Sequence, residues 1–223
     1  PLPTAILSAQ TGFPSYFYDD YTEKMNCFTD EWAKLQVRFD GIYSGFLGSA
    51  AQMHNVLYFL EKFQTKDTLY LADPVMGDNG ERIRIFTQEL LDSMKELTKR
   101  ASVITPNLTE LCLLADTDYE KLTDHCMSPD YVRYIEDTAR SLMRKARGKQ
   151  TVIVTGIIRR LPGQDYMGNL AVTPDDAFYL EMPYTGKNFS GTGDLTASVI
   201  AGSMVGGLDA KEALEKAVRF LRP

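Results

Sequence analysis

Apolar positions along this chain follow two alternating rhythms. Short apolar or β-branched runs at residues 4–8, 42–44, 68–72, 103–105 and 151–155 predict strands. Longer stretches between them carry helical spacing. Met53, Val56, Leu57 and Leu60 form an i, i+3, i+4, i+7 stripe, and Leu90, Leu91, Met94 and Leu97 form another. Residues 131–147 predict a third helix, whose Arg/Lys-rich end suits a C-terminal dipole. The apolar stretch 195–205 reads as a buried helix, and a further helix begins near Asp209. Strand–helix alternation argues for a largely parallel sheet covered on both faces. Residues 169–173 and 177–182, separated by Pro174-Asp175-Asp176, predict an antiparallel hairpin at one edge of that sheet. No repeat, low-complexity stretch or linker divides residues 1–223, so a single domain is expected.

Chemistry gathers where the predicted strands end. Those ends read Ser44-Gly45, Asp73-Pro74-Val75-Met76-Gly77-Asp78, Thr105-Pro106-Asn107-Leu108-Thr109-Glu110 and Thr155-Gly156. In open α/β sheets ligands bind beyond the carboxyl ends of the strands. The most informative segment is Ser190-Gly191-Thr192-Gly193-Asp194, just before the helix at 195–205. Its glycines let successive N–H groups converge on an anion at a helix N-terminus. An acid repels an anion, so Asp194 fits a base that takes a proton from an attacking hydroxyl while the nearby N–H groups hold a phosphoryl group. The competing reading is an ordinary Gly-rich helix entry with Asp194 as a first-turn charge.

Each remaining candidate also has two readings. Asp73 and Asp78 can hold Mg²⁺ directly or through its waters, or else cap a turn and face solvent. Asn107 and Glu110 can serve a nucleotide phosphate and metal-bound water, or form a variant capping box, and the two roles are compatible. Thr155 ends an apolar strand as a hydroxyl aimed at a phosphate, or as an ordinary strand end. Lys187 is within reach of a phosphate or is a solvated loop lysine. His54 and His125 are far apart, with no second histidine or cysteine at ligand spacing, and read as structural or solvated. Trp32, Tyr16, Tyr18 and Tyr21 either cover a pocket or pack as an aromatic cluster.

Composition narrows the class. The 44% hydrophobic and 24% charged content is that of an ordinary globular domain. A net charge of −6 disfavours nucleic acid and anionic membranes as partners. No apolar run reaches membrane-spanning length, and the first residues do not resemble a signal peptide. Cys27, Cys112 and Cys126 are odd in number and widely spaced, which fits a reducing cytoplasm; Cys112 reads as a core residue. Neither G-x-x-x-x-G-K-[ST] nor G-x-G-x-x-G occurs, so a P-loop enzyme and a classical dinucleotide dehydrogenase are disfavoured.

Taken together, Ser8-Ala9-Gln10-Thr11-Gly12, Tyr43-Ser44-Gly45-Phe46-Leu47-Gly48-Ser49, the Asp73 to Asp78 and Thr105 to Glu110 segments, Val154-Thr155-Gly156 and Gly191 to Asp194 resemble the ribokinase-like superfamily and, within it, the pyridoxal kinases. That resemblance spans almost the whole chain in order. It implies a three-layer α/β/α sandwich with a mostly parallel sheet and an antiparallel edge hairpin. It also implies ATP-dependent phosphorylation of the 5′-hydroxymethyl group of pyridoxal, pyridoxine or pyridoxamine, with Mg²⁺ and room for a monovalent cation. By resemblance Asp194 is the base and Gly191, Thr192 and Gly193 are the anion hole. Asp78, Asn107, Glu110, Thr155 and Thr192 serve the nucleotide, and Asp73, Asp78 and Glu110 the metal. Gln10, Thr11 and Phe46 contact the acceptor substrate, with Phe46 standing where many relatives have a stacking tyrosine. A homodimer in the cytoplasm is implied in the same way.

Family members carry a strand and a substrate loop ahead of the segment matched by residues 4–8, and a longer C-terminal helix. The expectation is therefore that both pieces lie outside this sequence. A hydroxymethylpyrimidine kinase of the same fold is the nearest alternative, although many of those have Cys where Asp194 stands. A non-catalytic nucleotide- or pyridoxal-binding protein is the alternative from another class.

Overall fold

A computed structural model of the chain describes residues 1–223 apart from 10–12, 185, 187–189 and 222–223. In chain order the elements are β1 (Ala5–Leu7), β2 (Tyr18–Asp20), α1 (Thr22–Lys34), β3 (Gly41–Ser44), α2 (Ala50–Phe63), β4 (Leu69–Ala72), β5 (Gly77–Asp78) and β6 (Glu81–Arg82). There follow α3 (Gln88–Arg100), β7 (Val103–Ile104), α4 (Leu108–Ala115), α5 (Tyr119–Thr123), α6 (Tyr131–Met143), β8 (Thr151–Leu161), β9 (Gln164–Val172), β10 (Ala177–Pro183), α7 (Thr192–Val205) and α8 (Ala210–Phe220).

The two-residue period of the strands divides their side chains between two cores. Tyr70, Ala72, Ile104, Val152 and Val154 enter one, with Met53 and Leu60 of α2, Leu97 of α3, Leu111 of α4 and Ile135 of α6. Leu71, Val103, Ile153 and Ala171 enter the other, beneath Ala197 and Ile200 of α7 and Leu214 and Ala217 of α8. Each fully buried Leu or Ile contributes about 1.5–3 kcal/mol, so both helical layers are held firmly. The sheet between them runs β10-β9-β8-β7-β4-β3. Strands β3, β4, β7 and β8 are parallel, whereas β8, β9 and β10 are antiparallel. This is the expected α/β/α sandwich with an antiparallel edge.

Helix starts follow local chemistry. Ser49 and Thr87 cap α2 and α3 through their side-chain oxygens, while Asn107 and Asp209 open α4 and α8 with complete capping boxes. Trp32 packs among Phe28, Phe39 and Phe59, which favours the aromatic-cluster reading of that residue; Tyr16 and Tyr18 are exposed. Cys112 is buried, as its apolar run predicts, and His54 and His125 are exposed. Among the described residues no helix is long and apolar enough to cross a membrane.

Three expectations are corrected. The run at 4–8 does form a strand, but among the described residues β1 pairs with β2 alone, antiparallel and apart from the central sheet. Ile6 and Leu7 are exposed, because β1 lies outside both layers that cover the central sheet. Strand β8 continues six residues past Thr155, because a bulge between Val154 and Ile157 resets its pairing with β9. Helix α7 is buried on one stripe only: Thr196, Ala197, Ile200 and Ser203 face the sheet, while Leu195 and Val205 are exposed. Small residues on the inner stripe let this helix lie close to the strands. Strand β3 is last in the sheet order, so among the described residues its outer edge carries no ladder.

Candidate active site

Parallel register brings the ends of four strands into one row. Asp73 N–H donates to the Ser44 carbonyl at 2.8 Å, Thr105 N–H to Ala72 at 3.2 Å and Thr155 N–H to Pro106 at 2.9 Å. Asn107 and Thr155 form a parallel bridge beyond the named strands. The row therefore presents Ser44, Asp73, Thr105, Asn107 and Thr155 on the carboxyl edge of the sheet, as the sequence pattern implies.

Asp73 is the buried carboxylate of this row. Its Oδ1 accepts a 2.9 Å hydrogen bond from the Thr105 hydroxyl. Burial pushes its pKa up to about 6; Thr105 opposes that rise and the charge of Asp194 adds to it. Asp194 lies in the first turn of α7, behind Gly191, which adopts the left-handed conformation with φ 87°. A Cβ at Gly191 would be strained in that conformation, and the turn it makes opens the helix toward the strand ends. A helix start leaves its first amides without intrahelical acceptors and carries partial positive charge. A methyl built on Gly45 would stand 3.3 Å from the Tyr43 hydroxyl and 4.0 Å from an Asp194 carboxylate oxygen. Gly45 thus keeps open the space in front of the Asp194 carboxylate, and Phe46 follows it with an exposed ring. Tyr43 was not singled out from sequence. Burial, then Asp73 and Asp194, pushes its phenol well above the usual range, so it stays a neutral donor. Its place in the Tyr43-Ser44-Gly45 strand end was the available signal.

A second cluster lies over α4. Both oxygens of Glu110 accept backbone N–H groups, from Asn107 at 2.8 Å and Met76 at 3.1 Å, and Asn107 Oδ1 accepts the Glu110 N–H at 3.0 Å. Asn107 Nδ2 donates to the Gly77 carbonyl at 2.8 Å. The capping reading of this pair is realised, and it also ties the β4–β5 segment to the start of α4. Burial drives the Glu110 pKa up to about 8; the Asn107 and Met76 amides oppose it, while Asp73 and Asp78 add to it. Asp78 itself is exposed and accepts from the Asn79 N–H at 2.9 Å.

The structure thus groups Tyr43, Gly45, Asp73 and Asp194 at one end of the row, and Asp78, Asn107 and Glu110, with Thr155 bridged to Asn107, at the other. Gln10, Thr11 and Lys187 lie outside the described residues. Among the described residues, no three His, Cys, Asp or Glu side chains are placed to hold a metal ion directly.

A family model described as phosphomethylpyrimidine kinase matches residues 32–223. A curated relative, the pyridoxal kinase PdxY of Haemophilus influenzae, is 29% identical over 191 residues, covering 83% of this chain and 62% of its own. A Bacteroides thetaiotaomicron protein described as a phosphomethylpyrimidine kinase, solved with pyridoxal, is 37% identical with a TM-score of 0.86 over 99% of this chain and 74% of its own. The pyridoxal kinase of Lactobacillus plantarum is 26% identical with a TM-score of 0.83 over 98% of this chain and 74% of its own. The chain spans 58–62% of the length of the first curated relatives it matches.

Proposed function

Because this chain belongs to the phosphomethylpyrimidine kinase family and carries the ribokinase-like fold, we propose that its site transfers the γ-phosphoryl group of ATP to the hydroxymethyl group of pyridoxal, pyridoxine or pyridoxamine. The observation that carries this reading is the position of Asp194. Its carboxylate shares the first turn of α7 with the amides that can receive an anion, and it faces the open space at Gly45. One side of that space suits an alcohol, the other a phosphoryl group.

In this reading Asp194 accepts the hydroxymethyl proton as the oxygen attacks phosphorus, and the amides at Gly191, Thr192 and Gly193 stabilise the charge on the transferred group. The Phe46 ring stacks on the acceptor, with Gln10 and Thr11 assigned to the same substrate by resemblance. Asn107, Thr155 and Asp78 serve the nucleotide. Asp73, Asp78 and Glu110 suit a hydrated divalent cation. Burial raises the pKa values of Asp73 and Glu110, Asp194 adds to the rise at Asp73, and the charges of Asp73 and Asp78 add to it at Glu110, so a cation would relieve the negative charge gathered there. Direct ligation is not preset, and both Glu110 oxygens hold backbone amides, which favours contact through water. Mg²⁺ bound there would supply charge neutralisation on the triphosphate. A homodimer and a cytoplasmic location rest on likeness to relatives alone.

The description of the matching family names the pyrimidine alternative, but the pyridoxal kinases among the relatives and the pyridoxal-bound neighbour do not favour it. The test of the core reading is Asp194→Asn. Turnover of pyridoxal with ATP should fall by about 10²–10⁴-fold, the range for a lost general base, while the thermal melt and ATP binding stay near wild type. Full activity in this variant would remove Asp194 as the base.

A further inference from the structure

We infer that Gln52 is a positioning residue that couples the β1–β2 strand pair to the loop carrying Phe46. Gln52 lies in the first turn of α2 and is 3% exposed. Its Oε1 accepts the Gly48 N–H at 2.9 Å. Its Nε2 donates to the Thr4 carbonyl and to the Thr22 hydroxyl, both at 3.1 Å. The amide has one acceptor atom and one two-donor atom, and each finds partners of the matching kind.

Those partners sit at three strategic points. Thr4 immediately precedes β1. Thr22 follows β2 and returns its own N–H and hydroxyl to Asp20, the last residue of that strand. Gly48 lies two residues beyond Phe46. Both roots of the strand pair and the end of the Phe46 loop therefore converge on one buried side chain. The strand pair is mostly exposed and buries little apolar surface of its own, so polar ties at its roots set its orientation. Leu47 seats the loop in the core, and the Gly48 bond fixes the direction in which the Phe46 ring projects. Asn55, one turn further along α2, reinforces the arrangement by donating to the Thr22 carbonyl at 2.9 Å. The link to catalysis rests on the reading of Phe46 as the acceptor-stacking ring.

Two variants of the full chain separate the parts of this coupling. Gln52→Met keeps length and burial but loses every tie. It should raise KM for pyridoxal about tenfold, with kcat and the KM for ATP changed less than about threefold, the signature of lost acceptor binding. Hydrogen exchange should accelerate together at Gly48 and in β1 and β2, and remain slow in α3 and α6. Gln52→Glu retains the acceptor for Gly48 and loses the donor, so exchange should rise in β1 and β2 while Gly48 stays protected. Unchanged exchange in the strand pair with Gln52→Met would overturn the coupling, as would global loss of protection in both variants. Coupled loosening with an unchanged pyridoxal KM would overturn its link to acceptor binding. If the wild-type chain turns over no pyridoxal, the proposed function fails and exchange alone decides the coupling.

Discussion

Glu110 holds two backbone amides in a setting that penalises its charge. Its pKa rises from an ordinary 4.5 to about 8, chiefly by burial, and that of Asp73 from 3.8 to about 6. A carboxyl with a raised folded value binds its proton more tightly in the native state than in the unfolded chain. The stability it contributes is complete below the unfolded value and is lost as pH climbs through the folded one. The wild-type melting temperature should therefore decline from about pH 5 to beyond pH 8. Glu110→Gln removes the titration and places an amide N–H₂ against one backbone N–H, at a cost of about 1–3 kcal/mol. The variant should be less stable than wild type at pH 5, and the gap should narrow by pH 8.5 or above. Thermal melts across that range check it, and parallel curves would show that Glu110 does not titrate there. The Asn107–Glu110 cap was legible from spacing alone. The pKa shift was not, because it requires the β4–β5 segment to fold over the carboxyl and bring the Met76 amide to it.

At the scale of elements, the β5–β6 turn decides where Asp78 stands. A side chain on Gly77 would collide with the Glu81 carbonyl in the facing strand, and the obstacle is backbone of Glu81 and Arg82, which leaves little room to yield. Gly77→Ala should cost about 1–3 kcal/mol, the usual range for overpacking. It should also raise the KM for ATP more than the KM for the acceptor, since Asn107 is tied to the Gly77 carbonyl. Equal changes in both constants would detach this turn from the nucleotide side. Asn79-Gly80 between these short strands is a hairpin signal that could have been read from sequence. The same holds for Pro162-Gly163, which joins β8 to β9. Strand β8 was legible as far as Thr155, where apolar residues run without break. Past that point the bulge shifts the in–out alternation, and period-based reading loses the strand.

For the whole molecule, the order of strands and helices announced the sandwich, and the division of Tyr70 from Leu71 or Val152 from Ile153 between two cores follows from the strand period. Contacts between distant segments were not legible: the Thr105–Asp73 hydrogen bond and the approach of Asp194 to Gly45 depend on how strands align and where α7 begins. Several carboxylates meet at one sheet edge in a chain of net charge −6, so the bare site repels a triphosphate. ATP with Mg²⁺ should therefore raise the melting temperature more than ATP alone; a ligand at one hundred times its Kd stabilises by about 2.7 kcal/mol. Equal shifts would argue against a metal-dependent nucleotide site.

The central claim is the identity of the acceptor, and Asp194 alone cannot set it, because pyridine and pyrimidine substrates both offer a hydroxymethyl group. A pocket that hydrogen-bonds a ring substituent rejects an analogue lacking it, since its own polar groups are left unpaired. The most direct measurement is kcat/KM for pyridoxal and for hydroxymethylpyrimidine, side by side on one preparation with ATP and Mg²⁺. A preference for pyridoxal of about tenfold or more is expected. Equal or reversed preference would place the chain on the pyrimidine side of its family, and no turnover of either would contradict the kinase reading itself.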